Sequence, residues 1–263
     1  MDILISLLVP TLGQREMEFK RLLDSFVAQS YQNMEVVVIS QDNHQVVENQ
    51  CKMYHDRLGI KHLKSDIRGL SLARNIGLRE TTGDIIVLSD DDCWYPSNAM
   101  KSIADEFVAH PEMDVLLTQI YDPIANCPYK SYGKTARNLN KTTNLLSRSS
   151  IEIAFRKDDT ILFDELFGVG ATYVAGEEND FLIRCLKSKK VIVYKPITTV
   201  FHEKKARKES PAQLIAKGAF YAKHFGFIVS NLVLLRDLII KHQNNFREFW
   251  NGYFSYKESR RSS

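Results

Sequence analysis

Long apolar runs are missing from this chain. No stretch of eighteen consecutive apolar residues occurs in its 263 residues, so no membrane-spanning helix is expected. Cysteine is sparse. Cys51, Cys93, Cys127 and Cys185 are far apart and form no CxxC pair. That argues against a disulfide or zinc framework and fits reduced thiols in a cytoplasmic protein. The dinucleotide fingerprint is missing too: Gly168-Val169-Gly170 begins like GxGxxG, but position 173 is Tyr and no strand leads into it. A Walker lysine motif is absent, so bound phosphates would need a metal in place of a glycine loop. The apolar stretch Ile3 to Val9 has Asp2 before it and no basic region, unlike a signal peptide. Acids are absent from residues 123–151, which hold five bases: Lys130, Lys134, Arg137, Lys141 and Arg148. With Ser, Thr and Asn between them, they read either as a solvated linker or as a mobile lid over phosphate or acceptor.

Against these absences stands Ile85-Ile86-Val87-Leu88-Ser89-Asp90-Asp91-Asp92. The apolar run reads as a strand buried on both faces of a parallel sheet. A core does not tolerate three successive acids, so they must lie beyond the strand's carboxyl end, where open α/β sheets bind ligands. Adjacent carboxylates repel unless a proton or cation lies between them, and a hard divalent cation, Mn2+ or Mg2+, suits oxygen ligands. The plain alternative is a helix cap. The next helix, however, is expected only from Ser97, too late for these acids to cap it.

Strands and helices alternate along the first half. Strands are expected at Ile3–Val9, Val36–Ile39, Ile60–Leu63 and Val115–Tyr121. Helical faces are expected around Phe19–Val27, Val47–Leu58 and Arg68–Gly77. The pattern implies a mostly parallel sheet with right-handed crossovers. A second acidic cluster, Gly176-Glu177-Glu178-Asn179-Asp180, precedes a helix. Its acids either favour the helix dipole or supply a general base. Short strands are expected at Val191–Tyr194 and up to Phe201, where His202 follows as a candidate metal ligand.

Charge is unevenly spread. Residues 203–263 hold 12 Lys and Arg against 5 Asp and Glu, a surplus of seven, and the rest carries a net −4. Ser210-Pro211 opens a helix, a second begins near Phe227, and Phe246, Phe249, Trp250, Tyr253 and Phe254 form one stripe. With nearby bases, that stripe is expected either to lie in a membrane interface or to pack on the domain or on a second subunit. No nucleic-acid motif is present.

Four segments in order resemble the family 2 glycosyltransferases: Ser6-Leu7-Leu8-Val9-Pro10-Thr11, Arg68 to Gly77, Asp90-Asp91-Asp92 with Pro96, and Phe167 to Arg184. The resemblance covers about residues 1–205. It implies a GT-A fold, a Rossmann-like α/β sheet flanked by helices, with a nucleotide-binding half at about 1–122 and an acceptor half at 123–205. Residues 206–263 are then a helical C-terminal extension.

The resemblance further implies inverting transfer of a sugar from a nucleotide-diphosphate donor, UDP by family habit. The acceptor would be a glycan or a polyprenyl-diphosphate-linked sugar in bacterial surface polysaccharide synthesis. Thr11 and Asp42 would face the nucleoside, with Pro10, Arg15 and Asp91 in the same site. Arg68 or Arg74 would contact base or phosphate. Asp90 would lie near ribose and metal, and Asp92 and His202 would hold the metal. Glu178 matches the catalytic base. Many relatives have Asp there, so Glu177, Glu178 and Asp180 all stay open. Two rival readings are a sugar nucleotidyltransferase and a non-catalytic glycan- or nucleotide-sugar-binding scaffold. The single Gly between Pro10 and Arg15 speaks against the first, and the intact acidic clusters against the second.

Overall fold

A computed structural model of the chain describes residues 3–204, 209–241 and 246–261. The strands are β1 (Ile5–Thr11), β2 (Met34–Ser40), β3 (Gly59–Lys64), β4 (Ile85–Leu88), β5 (Val115–Asp122), β6 (Cys127–Pro128), β7 (Arg137–Asn138), β8 (Ile153–Arg156) and β9 (Ile192–Phe201). The helices are α1 (Glu16–Val27), α2 (His44–Lys52), α3 (Leu70–Glu80), α4 (Ala99–Ala109), α5 (Glu177–Lys187), α6 (Pro211–His224), α7 (Gly226–Lys241) and α8 (Phe246–Ser259). The sheet order is β3-β2-β1-β4-β8-β5-β9-β7, with β6 beside β5. β1 pairs in parallel with β2 and β4, β2 with β3, and β5 with β9. β8 lies antiparallel between β4 and β5.

Period-two alternation divides the core into two layers. Ile5, Leu7, Val9, Ile85 and Val87 pack with Phe19, Leu22, Phe26 and Phe107 on one face. Leu8, Ile86 and Leu88 pack on the other with Ala73, Phe163 and Phe181. Helices cover both faces, which is why β1, β2 and β4 are apolar along most of their length. Gly77 lets α3 lie close to the sheet, because a Cβ there would come within 2.2 Å of Leu8 Cδ1.

Several expected boundaries shift. Residues 123–151 are not one open loop: they contain β6, β7 and a turn of 3-10 helix at Thr142–Asn144. Lys130 and Arg148 turn inward onto the buried Glu152, at 2.8 and 3.6 Å. The two strands expected between residues 191 and 202 are one, β9. Its pairing with β5 slips between Leu117 and Ile120. Pro196 lies in that stretch and cannot donate to a ladder, so the sequence reads as a break where the structure has an irregularity.

The C-terminal helices share the core of the sheet. Ala216, Ala219, Phe220, Phe249, Tyr253 and Tyr256 join Phe167, Tyr173 and Phe181 in one cluster. The aromatic stripe, expected either at a membrane interface or packed on the domain or a second subunit, is split: Phe249 and Tyr253 pack in the domain core, while Phe246 and Phe254 stay exposed. α6 and α8 meet backbone to backbone. A Cβ on Gly218 would lie 1.9 Å from the Phe249 carbonyl oxygen, and one on Gly252 would lie 1.9 Å from that of Ile215. Substituting Gly252→Ala must force the helices apart. We expect a loss of at least about 1–3 kcal/mol, the usual range for overpacking, read as a lower urea midpoint with an unchanged slope.

Candidate active site

The carboxyl ends of β1, β2 and β4 open into a cleft of about 500 Å³. It is lined by Pro10, Thr11 and Arg15 after β1, by Gln41 after β2, and by Asp90, Asp91 and Asp92 after β4. The far wall carries Val169, Gly170, Glu177 and Glu178, and Tyr129, Ser149 and His202 close the remaining side. Two acidic clusters some 85 positions apart in sequence thus face one space.

Local chemistry fixes the aspartates. The Thr11 hydroxyl donates to Asp91 Oδ2 at 2.7 Å and accepts from the Gly13 amide at 2.9 Å. Arg15 Nη1 reaches Asp91 Oδ1 at 3.0 Å and Asp92 Oδ2 at 2.7 Å. Burial pushes the Asp91 carboxyl above its ordinary range, and Asp90 and Asp92 add to the shift, against the Thr11 bond and the Arg15 charge.

An antiparallel bridge brings His202 to these acids. The Trp94 amide donates to the Phe201 carbonyl at 3.1 Å, and the Phe201 amide to Trp94 at 2.7 Å. Arg21 lies 3.6 Å over the Trp94 ring and donates to the Asp92 carbonyl at 3.1 Å. One residue past the bridge, His202 Nε2 sits 3.2 Å from Asp92 Oδ1. Its Nδ1 is 2.7 Å from the Glu203 carbonyl, which can only accept, so Nδ1 carries a hydrogen. Nε2 then faces a carboxylate either as a bare lone pair or as a second N–H. Burial opposes the charged ring, but the bond to Asp92 and that carboxylate's field raise the His202 pKa overall.

These residues fit a divalent cation. The backbone-bonded Nδ1–H is the support that metal-binding histidines commonly have. The 3.2 Å between Nε2 and Oδ1 suits two neighbouring ligands of one octahedral ion. Among the described residues no three His, Cys, Asp or Glu side chains converge on one metal position. The remaining ligands would come from water and substrate phosphate, the habit of Mg2+ sites.

Beneath the cleft, Arg74 of α3 is fully buried. Its Nη2 lies 3.2 Å from Asp90 Oδ1 and its Nη1 3.5 Å from Glu177 Oε1, over the Phe163 ring at 5.3 Å. The neighbouring polar residues of α3 bind the segment leading to α5. Ser71 donates to the Phe167 carbonyl at 2.6 Å, and Asn75 exchanges bonds with Phe163 at 2.8 and 2.9 Å. Gly170, at φ +83°, lets this segment approach Gly69, whose amide nitrogen would lie 3.2 Å from an added Cβ.

Three expected site residues do not reach the cleft. Arg74, expected on the nucleotide, is enclosed below it between the two acidic clusters. Asp42 pairs with Arg68, which does line the cleft. Asp180, an open candidate for the base, is completely buried. It faces Lys223 at 2.5 Å, His224 at 2.8 Å and Arg184 at 2.8 Å. Burial opposes its ionisation, yet the His224 bond and the Arg184 and Lys223 charges hold its carboxyl far below the ordinary range. It is a tie between α5 and α6 and a poor base. Glu177 and Glu178 remain. Burial and the adjacent Glu177 raise the Glu178 carboxyl well above its ordinary value. The sequence reading missed Gln41, Tyr129 and Ser149. Gln41 left a signal as a polar residue directly after a buried strand, and Tyr129 and Ser149 lie in the 123–151 segment, one of whose two readings was a lid.

The sequence profile of glycosyl transferase family 2 matches residues 6–164, more than half of the chain. The chain belongs to this family. A glycosyltransferase of Haemophilus influenzae, itself uncharacterised, is 26% identical over 220 residues, which cover 77% of this chain and 70% of that protein. Glycosyltransferase GlyA of Streptococcus pneumoniae is 26% identical over 118 residues, and the match spans 44% of this chain but only 17% of GlyA. Among solved structures, S. aureus TarS 1–349 in complex with UDP superposes with a TM-score of 0.65 at 17% identity, covering 98% of this chain and 92% of TarS 1–349. Mannosyltransferase PcManGT from Pyrobaculum calidifontis, in complex with GDP-Man and Mn2+, superposes at 0.60 and 16% identity, covering 98% of this chain and 75% of the other. The likeness establishes the GT-A fold, and the family makes the protein a glycosyltransferase.

Arg74 holds both acidic clusters, so its loss should be felt twice. Arg74→Met leaves Glu177 buried without its cation, and we expect a loss of about 3–5 kcal/mol. Arg74→Lys keeps the charge but cannot span both partners, and should recover only part of that stability. Chemical denaturation of the three proteins checks the order.

Proposed function

We propose that the protein transfers a sugar, with inversion, from a nucleotide-diphosphate donor to a hydroxyl of a glycan or lipid-linked acceptor. The observation that carries this reading is the shared cleft, lined both by Asp90–Asp92 with His202 and by Glu177–Glu178. The first group suits the leaving diphosphate and the second the incoming hydroxyl. Asp92 and His202 would hold Mn2+ or Mg2+, with Asp90 nearby, and the ion would act as a Lewis acid toward the departing diphosphate. Pro10, Thr11, Gln41 and Arg68 line the place for the nucleoside and its phosphates. UDP is the proposed nucleotide, supported by the likeness to the UDP complex.

Glu178 is the proposed base. It also lines a second cavity of about 710 Å³, bounded by Gly176 and Asn179, by Gln213, Lys217 and Phe220 of α6, and by Arg236 of α7. A carboxylate between two cavities can meet a donor from one and an acceptor from the other. Its pKa, raised by burial and by the adjacent Glu177, makes it a stronger base than an ordinary carboxylate. The relatives' bacterial hosts support a role in surface polysaccharide synthesis, and the unpaired cysteines support a cytoplasmic setting. Among the described residues no helix is long and apolar enough to cross a membrane.

Calorimetry with UDP and Mn2+ tests the donor side. Binding should be lost both with chelator and in Asp92→Asn. If binding survives both, the proposed metal site is wrong.

Glu178→Gln tests the other side. It should retain UDP binding and lose about 10²–10⁴-fold in kcat. In the wild type, kcat/KM should rise with pH along a limb lying above the ordinary Glu value of about 4.3. Stability should move the opposite way. A carboxyl whose folded pKa is raised costs nothing while protonated and destabilises as pH rises through that value. Glu178→Gln should therefore melt higher than wild type at alkaline pH and no higher at acid pH. Wild-type turnover in this variant would place the base elsewhere.

A further inference from the structure

α7 has its polarity inside out. The residues it turns toward the domain are Ser230, Leu234 and Asp237. Ser230 is satisfied by the Gly226 carbonyl at 2.6 Å, and Asp237 by Lys217 at 2.6 Å and Arg236 at 2.6 Å. Its outward face carries Phe227, Ile228, Leu232, Leu235 and Ile239, with Ile228 76% exposed and Ile239 62%. The strip continues onto α8: Phe227 lies 5.0 Å from Trp250, which stacks at 5.4 Å on the exposed Phe254. Scattered exposed apolar residues need no cause, but a continuous strip along four turns of helix does.

We propose that this strip is a docking surface for an anionic lipid membrane, with α7 lying in the interface plane. Charge selects this occupant. The acid of α7, Asp237, is buried and answered by Lys217 and Arg236. The exposed bases, Arg236 on α7, Arg247 and Lys257 on α8, and Arg260 and Arg261 just after it, outnumber the remaining acids, Glu248 and Glu258. A second copy of the chain would meet this surplus of bases with the same surplus. Anionic headgroups answer them directly, and the mixture of aliphatic, aromatic and basic side chains suits the headgroup boundary. At 16 residues, α7 is too short to span a bilayer but long enough to lie on one. Arg236 also borders the second cavity, so docking brings that cavity to the lipid surface. The inference does not depend on the transfer chemistry, because vesicle binding is read without donor or acceptor.

The test is flotation of the full chain with phosphatidylglycerol–phosphatidylcholine vesicles and with phosphatidylcholine alone. The protein should float with the anionic vesicles and lose that binding at high salt. Leu232→Glu combined with Ile239→Glu should lower partitioning about tenfold or more. Both positions are exposed, so the melting temperature should not change, and Ile228→Glu alone repeats the test should the double variant unfold. Equal flotation of wild type and variants overturns the proposal. So does a concentration-dependent dimer, seen by sedimentation without vesicle binding and abolished by the same substitutions.

Discussion

One buried guanidinium ties the two halves of the site together. Arg74 comes from α3, Asp90 from the end of β4 and Glu177 from the first turn of α5. Glu177 alone would be costly at its depth, and the guanidinium beside it makes it tolerable, while the partly exposed Asp90 holds the other end of the fork. The charge also sets a distance. The ends of β4 and α5 that carry the two acidic clusters cannot drift apart while the planar fork spans both. Ser71 and Asn75 fix α3 to the segment before α5 by neutral bonds, so the fork is itself held in place.

The other wall depends on a single bridge. Trp94 follows the aspartates and Phe201 precedes His202, so the pair of bonds between them brings two distant stretches into reach. Arg21, over the Trp94 ring and on the Asp92 carbonyl, braces the same turn from α1. The result is a carboxylate and an imidazole at ligand spacing on a rigid support, open toward the cleft.

The C-terminal helices serve the site as well as the core. Asp180 spends its charge on Lys223, His224 and Arg184, locking α5 to α6 and leaving Glu177 and Glu178 to face the cleft. Three adjacent acids at one helix start thus have divided duties: one bound to a neighbouring helix, one to Arg74 and one lodged between two cavities.

By itself the sequence determined the strands β1 to β5 and the family, but not β8, the antiparallel strand between β4 and β5. Buried strands announce themselves by apolar runs, and acids directly after β4 can lie only at its carboxyl end, because hydrophobic patterning and backbone period are local properties. The strand β9 was misread as two for the same reason: Pro196 is a local signal, and parallel pairing with β5 is not. The duties of Arg74 and Asp180 were equally out of reach. An arginine in a motif looks the same whether it meets a phosphate or two carboxylates, and two of the three partners of Asp180 lie 43 and 44 positions away on α6. The polarity of α7 was decided by tertiary structure alone. Its sequence is apolar almost throughout, and only the packing of Ser230 and Asp237 inward shows that the greasy face is the one left outside.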